Sequence, residues 1–168
     1  MTEPLSDYWS WQNKPQPTES KNLFAPTLIA ENDSALVDTN IFVYLIDDSD
    51  PEKHRRAIRF LEGQFKNRKR FLICMQNIRE FAAVTIRKHS IQPEKLNEIM
   101  DLLFSLKKIL HENPTDVQNA VSWHFHRQTP FWDSLLACTM QRHGINTIYT
   151  ENERDFKKLG LRVINPLK

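Results

Sequence analysis

Ala35-Leu36-Val37-Asp38-Thr39-Asn40-Ile41-Phe42-Val43-Tyr44-Leu45 decides the fold. Three apolar residues with no polar alternation read as a short strand buried on both faces, and it ends at Asp38. Asn40 to Ile46 continues as an apolar turn of helix. A strand covered on both faces belongs to a parallel sheet flanked by helices. In such open sheets ligands bind beyond the carboxyl ends of the strands, where Asp38 stands.

The same alternation runs outward from there. Pro51 opens a helix, Glu52 to about Phe65, with Ala57, Ile58, Leu61 and Phe65 at helical spacing. Phe71 to Met75 is a second buried strand, and Asn77 starts a third helix reaching about His89. Pro93 starts a fourth, with Leu96, Ile99, Met100, Leu103 and Phe104 on one face. Ile109-Leu110 reads as a short strand. Pro114 to about Arg127 is helical, with Val117, Ala120, Val121 and Trp123 or His124 facing inward. Thr129-Pro130 reads as an N-cap with proline at the first helical position. The helix it opens carries Trp132, Leu135, Leu136, Thr139 and Met140 and stops at Gly144. Ile145 to Tyr149 and Leu161 to Ile164 read as the last strands. This pattern predicts an α/β sandwich on a parallel sheet with right-handed crossovers.

Of the 168 residues, 40% are hydrophobic and 26% charged, a balance that fits a globular core. No apolar run reaches the roughly 18 residues that span a bilayer, and Met1 to Lys14 lacks the features of a secretory signal. The domain is expected to begin at about Ser34. Residues 1–33 read as an extension rich in proline and polar residues that also carries Tyr8, Trp9, Trp11 and Phe24. A disordered leader and an aromatic strap docked on the domain or on a partner are both open. Cys74 and Cys138 read as buried thiols in a reducing cytoplasm. None of the three glycines lies in a phosphate-cradling motif, so Rossmann and P-loop nucleotide sites are unsupported.

The net charge of +2 is unevenly placed. Residues 1–33 carry −3, whereas Glu52 to Arg70 carries +6. Such a basic stretch is either a solvated helix face or a track for a phosphate-rich partner. Arg55, Arg56, Arg59, Lys66, Arg68, Lys69 and Arg70 are its candidate contacts.

Four acids fall at predicted strand ends or in the turns just beyond. They are Asp38, Glu80, Asp133 and Asp155. Each also has an ordinary reading. Asp38 could be a turn residue, and Glu80 could complete a capping box with Asn77. Asp133 could complement a helix dipole, and Asp155 could decorate the surface near a helix start. Read together, they form a carboxylate cluster that requires a counter-charge. Hard oxygen ligands favour Mg²⁺ or Mn²⁺, ions that support hydrolysis of phosphodiesters. His124 and His126 point to different sides of a helix and form no metal pair.

On these residues the chain resembles the PIN-domain family, especially its VapC-type toxin ribonucleases. Four segments carry the likeness: Val37 to Leu45 (V-D-T-N), Asn77 to Phe81 (N-x-x-E-F), Phe131 to Ala137 (F-W-D-x-L) and Ile148 to Phe156. They span about residues 35–168. The resemblance implies a three-layer α/β/α sandwich with a five-stranded parallel sheet. It also implies Mg²⁺- or Mn²⁺-dependent cleavage of RNA, a frequent homodimer and a cognate antitoxin. It matches Asp38, Glu80 and Asp133 to the family's metal-binding and catalytic acids, and Asn40 and Thr150 to supporting polar positions. Many members have Asp where Asn152 stands, so a fourth acid role would pass to Asp155 or be absent.

The main alternative is a non-catalytic PIN-like module that holds RNA or a protein. A phosphoacceptor receiver needs paired acids after the first strand, whereas Asp47-Asp48 follow a helical turn. A haloacid-type phosphatase needs a second aspartate two residues after the first, where Asn40 stands.

Overall fold

A computed structural model describes residues 34–66, 71–88, 91–106 and 108–168. The extension 1–33 and the candidate contacts Arg68, Lys69 and Arg70 lie outside the described residues, as does the side chain of Lys66.

The strands are β1 (Ala35–Val37), β2 (Phe71–Cys74), β3 (Ile109–Leu110), β4 (Thr147–Tyr149) and β5 (Arg162–Ile164). The helices are α1 (Thr39–Val43), α2 (Pro51–Lys66), α3 (Met75–Lys88), α4 (Pro93–Phe104), α5 (Pro114–Arg127), α6 (Phe131–Arg142) and α7 (Glu153–Lys158). All strand pairs are parallel, in the order β3-β2-β1-β4-β5. The chain steps outward from β1 to β2 and β3, then crosses back to place β4 on the other side of β1. That reversal opens a crevice between the carboxyl ends of β1 and β4. Asp38 N–H donates to Tyr149 O at 3.0 Å across it.

Alternation along the short strands splits the core in two. Leu36, Leu72, Cys74, Leu110 and Ile148 face Leu136, Ala137 and Met140 of α6 and Phe156 of α7. Val37, Phe71 and Ile73 face Ile41 and Phe42 of α1, Ala57 and Leu61 of α2, Ile78 and Phe81 of α3 and Leu103 of α4. The sheet is therefore covered on both sides, as the three-layer reading requires, and β1 and β2 are buried along their whole length. Each fully buried Leu, Ile or Phe contributes about 1.5–3 kcal/mol.

Several local readings need correction. β2 ends at Cys74, and Met75 opens α3, so Asn77 sits inside the helix and does not start it. Asn77 Oδ1 accepts the Cys74 N–H at 3.0 Å, a side-chain bond that lets the strand turn directly into helix. The predicted capping box is thereby replaced, and Glu80 lies one turn deeper than expected. At α6, Pro130 is itself the residue before the helix; the Thr129 hydroxyl meets Ser134 Oγ at 2.8 Å instead of capping. Gly144 (φ 70°) does end α6, with Ile145 N–H on Met140 O and Gly144 N–H on Gln141 O closing a Schellman turn. α7 was not expected as a separate helix.

The inner face of α5 also differs. Val117 and Val121 are exposed, as are His124 and Phe104 of α4. Ala120 is buried as read, Asp116 is buried beside it, and Trp123 is half-buried against Leu135 and Cys138. The cause is an ion pair that periodicity does not reveal. Asp116 caps α5 through a capping box with Asn113 and accepts the Arg142 guanidinium of α6 at 2.8–3.0 Å. A buried carboxylate with such a partner turns the helix by the polar residue rather than the two valines.

Removing this anchor is expected to be costly. Asp116→Ala leaves Arg142 and the Asn113 N–H without their acceptor and should destabilise the chain by about 2–4 kcal/mol. Urea unfolding of the two proteins measures it; a loss under about 1 kcal/mol would contradict the assigned anchoring role.

Candidate functional site

The crevice between β1 and β4 is where the sequence motifs converge. Asp38 leaves β1 in extended conformation (φ −75°, ψ 155°) and caps α1, its Oδ1 accepting the Thr39 N–H at 2.7 Å. Its Oδ2 accepts from Thr150 Oγ1 at 2.6 Å and from Asn40 Nδ2 at 2.9 Å. Asn40 Nδ2 also reaches Thr150 Oγ1 at 3.0 Å, and Asn40 Oδ1 accepts the Glu151 N–H. Asn40 and Thr150 together hold the Asp38 carboxylate, and Asn40 locks the loop after β4 to the start of α1.

Glu80 is oriented from two sides. Thr39 Oγ1 donates to its Oε2 at 2.8 Å, and Gln76 Nε2 donates to its Oε1 at 2.8 Å. Thr39 is itself positioned by Asn77 Nδ2 at 3.1 Å. Asp133, in the first turn of α6, accepts Asn152 Nδ2 on its Oδ2 at 2.6 Å. Asn152 N–H in turn rests on Thr150 Oγ1 at 2.9 Å. Asp155, in the first turn of α7, is 6% exposed and therefore no surface decoration. Its Oδ1 meets Arg154 Nε at 3.2 Å.

Asp38, Glu80 and Asp133 form no ion pair among the described residues; every bond they accept comes from a neutral donor. The electrostatic result is plain. Burial pushes the Asp38 carboxyl up to about 6, opposed by its Thr150 and Thr39 hydrogen bonds and reinforced by the charge of Glu80. Burial also pushes Asp133 up to about 7, and the charges of Asp38, Asp155 and Glu80 add to it, while the Asn152 bond opposes. The structure therefore brings the four predicted acids close enough to repel one another. It does not turn them onto one point: among the described residues, no group of three or more His, Cys, Asp or Glu side chains is arranged to hold a metal ion.

Three residues beside the crevice were not singled out from sequence. Lys53 Nζ pairs with Glu151 and bonds the Tyr44 hydroxyl, which donates to Glu151 Oε2 at 3.0 Å. The Glu151 contact holds Lys53 firmly in its charged form. A lysine on α2, a tyrosine after α1 and a glutamate after β4 are too distant in sequence for spacing to connect them. Thr39 and Gln76, which orient Glu80, carried no signal beyond their proximity to the motifs.

The basic stretch is only partly available. Arg55 and Arg56 both bond Glu52, and Arg56 also donates to Leu167 O at 3.0 Å. Arg59 has no hydrogen-bond or ion-pair partner among the described residues. It lines an open cavity of about 460 Å³ with Glu52, Arg56, Phe60, Pro166 and Lys168. Phe60 stands 4.7 Å from the Tyr149 ring, and Tyr149 precedes Thr150 of the crevice. Cys74 and Cys138 are free and buried, and no described helix is long and apolar enough to cross a membrane. His124 and His126 each turn Nδ1 to a backbone carbonyl, Thr129 O and Ser122 O.

Comparison with known proteins places this geometry. The PIN domain family matches residues 35–161. No curated protein sequence matches the chain. Among solved structures, VapC20 of Mycobacterium tuberculosis, described as a Sarcin-Ricin loop cleaving toxin, superposes with a TM-score of 0.60 at 17% identity, covering 76% of this chain and 95% of that one. FitAcB from Neisseria gonorrhoeae gives 0.58 at 16% identity, over 79% and 97% of the two chains. VapBC2 from Rickettsia felis, bound to a DNA fragment from their promoter, gives 0.56 at 19% identity, over 79% and 98%. These likenesses are of fold, and together with the match across residues 35–161 they establish that the chain belongs to the PIN domain family.

Proposed function

We propose that this protein is a divalent-metal-dependent endoribonuclease acting at the Asp38–Glu80–Asp133 crevice, and the toxin half of a toxin–antitoxin pair. The observation that carries the reading is a set of mutually repelling carboxylates, steadied by neutral donors alone, at the switch point of the sheet. A structural ion-pair network would have matched those charges with Lys or Arg; Asp116 and Arg142 illustrate that alternative in the same chain.

The donor set suits a hard cation. Mg²⁺ takes one or two protein carboxylates and keeps several waters, so Asp38 and Asp133 suffice as ligands without a three-sided cage. When bound, Mg²⁺ or Mn²⁺ supplies positive charge to the scissile phosphate and acidifies water near it. The remaining work falls to the chain. Asn40 and Thr150 hold the Asp38 carboxylate in place, and Asn152 does the same for Asp133. Glu80, fixed by Thr39 and Gln76, takes the proton of the attacking water on a carboxylate oxygen. Asp155 adds negative charge at the edge of the site. The open cavity lined by Arg59 and Phe60 on α2 offers a cation and an aromatic ring to the RNA backbone and bases. Arg55, Arg56 and Lys66 are weaker contacts on the same helix. The partners are then RNA, an antitoxin protein and a second copy of the chain, in the cytoplasm.

Asn152 supports a second reading. Its amide occupies Asp133 Oδ2 at 2.6 Å, where an aspartate would have left that oxygen free, which suits a module that binds RNA or a protein without cutting.

Two measurements test the proposal. Purified protein with Mg²⁺ or Mn²⁺ should degrade RNA, chelator should stop it, and Asp38→Asn or Asp133→Asn should each lower the rate by about 100-fold or more. RNA binding without turnover would establish the second reading, and unchanged cleavage by both variants would remove the mechanism. Stability provides the other test. Unfolded aspartates release their protons near pH 4, whereas Asp38 and Asp133 retain theirs to about 6 and 7. Between those values the folded chain binds more protons, so these groups make stability fall as pH rises from about 4 to 7. In chelator, Asp133→Asn should therefore raise the Tm at pH 8 and leave it nearly unchanged near pH 4. Solvent around the partly exposed Asp133 reduces the gain to about 1–2 kcal/mol, or roughly 2–8 °C. A lower Tm for the variant at pH 8 would contradict the charge assignment.

A further inference from the structure

Gln76 is 3% exposed and sits between two acids, yet the mechanism above uses it only as a donor to Glu80. Its amide does more than that. Nε2 donates one hydrogen to Glu80 Oε1 at 2.8 Å and the other to the backbone oxygen of Trp132 at 3.0 Å. Trp132 immediately precedes Asp133 in the first turn of α6. One side chain thus bridges the carboxylate on α3 to the helix turn that presents the carboxylate on α6.

The orientation of this amide is unambiguous. Both of its contacts are acceptors, a carboxylate and a carbonyl, so only the NH₂ group can face them. The remaining atom, Gln76 Oε1, is buried with no hydrogen-bond partner among the described residues. A buried acceptor left unpaired costs about 1–3 kcal/mol, and such atoms mark strain, catalysis or a missing small partner. An apolar side chain of the same length would have filled the position at lower cost. Neither contact of the amide can satisfy it, because Glu80 and the Trp132 carbonyl are themselves acceptors. The side chain is thus held through its NH₂ group alone, by the two contacts that tie Glu80 to the first turn of α6.

The geometry points to Gln76 as a positioning residue for the hydrolytic step: its NH₂ group fixes the Glu80 carboxylate relative to the helix turn that carries Asp133, so that Glu80 is held where it takes the proton of the attacking water. This rests on the nuclease reading and refines it. The P–O bond to the leaving oxygen breaks as the water oxygen bonds to phosphorus, and the transferred proton rests on Glu80. Gln76 neither binds RNA nor exchanges a proton. Its loss should affect turnover and leave substrate affinity alone.

Gln76→Met keeps the side-chain length and removes both the donors and the acceptor. Gln76→Asn keeps the chemistry and shortens the reach by one methylene, so it should fail to rescue. Both variants, with the parent as reference, are assayed on a fluorescent single-stranded RNA in Mn²⁺, together with Mn²⁺ binding in the absence of RNA and thermal unfolding. The expected result is a kcat lowered by about 10- to 100-fold in both variants, with KM and Mn²⁺ affinity within about threefold of the parent and a folded chain at the assay temperature. Full kcat in Gln76→Met would overturn the inference and leave the nuclease reading intact. A lowered kcat that tracks a lost Mn²⁺ site or a partly unfolded chain would overturn it too, assigning Gln76 a merely structural role. Absence of cleavage by the parent would remove the nuclease reading and this inference with it.

Discussion

Negative charge held without positive charge is the constraint on which the site depends. Asp38 is buried where β1 ends, and its bonds come from a hydroxyl, an amide and a backbone N–H. Glu80 and Asp133 are met in the same way, by Thr39, Gln76 and Asn152. Neutral donors orient carboxylates without supplying positive charge, and burial, reinforced by the neighbouring carboxylates, raises Asp38 and Asp133 well above the usual carboxylate range. Elsewhere the chain neutralises its acids directly: Asp116 with Arg142, Glu151 with Lys53 and Glu153 with Lys157 and Lys168. The contrast within one molecule sets the crevice apart from the ion pairs that hold the fold together.

The sheet topology explains why these acids meet. Carboxyl ends of parallel strands share one edge, and the crossing from β3 to β4 splits the helices around β1 at that edge. Short strands make the arrangement rigid. β1 has three residues, so Asp38 sits one residue beyond a fully buried strand and is tied to Tyr149 O through its own backbone. Thr150 and Asn152 follow β4 with the same economy. Residues more than 100 positions apart in sequence become hydrogen-bond partners because two adjacent strands end together.

Much of this was legible in the residues. The unbroken apolar triplet Ala35-Leu36-Val37 marked β1 as a buried strand, and the acid directly after it marked the crevice. Helical spacing in α2 and α4, and glycine after α6, set the helices to within a few residues. Other features depended on tertiary partners. Periodicity placed Val117 and Val121 inward, but burial of the Asp116–Arg142 pair rotated α5 away from them. Asn77 looked like a helix start, yet its side chain caps the end of β2 from inside α3, which moved Glu80 inward by a turn. The Tyr44–Lys53–Glu151 cluster and the bridge through Gln76 join segments that no local pattern relates. Asp155 was one of the four candidate acids with a surface role left open beside it, because spacing reports neither burial nor the repulsion it exerts on Asp133.

The central claim is that the uncompensated carboxylates at the β1–β4 crevice take a divalent cation. Electron paramagnetic resonance of Mn²⁺ titrated into the full chain at pH 7.5, without RNA, tests it most directly. The account predicts a bound Mn²⁺ population in the parent that Mg²⁺ displaces and that is lost in Asp38→Asn and in Asp133→Asn. A spectrum of free Mn²⁺ in the parent, or bound Mn²⁺ that survives both substitutions, would contradict it.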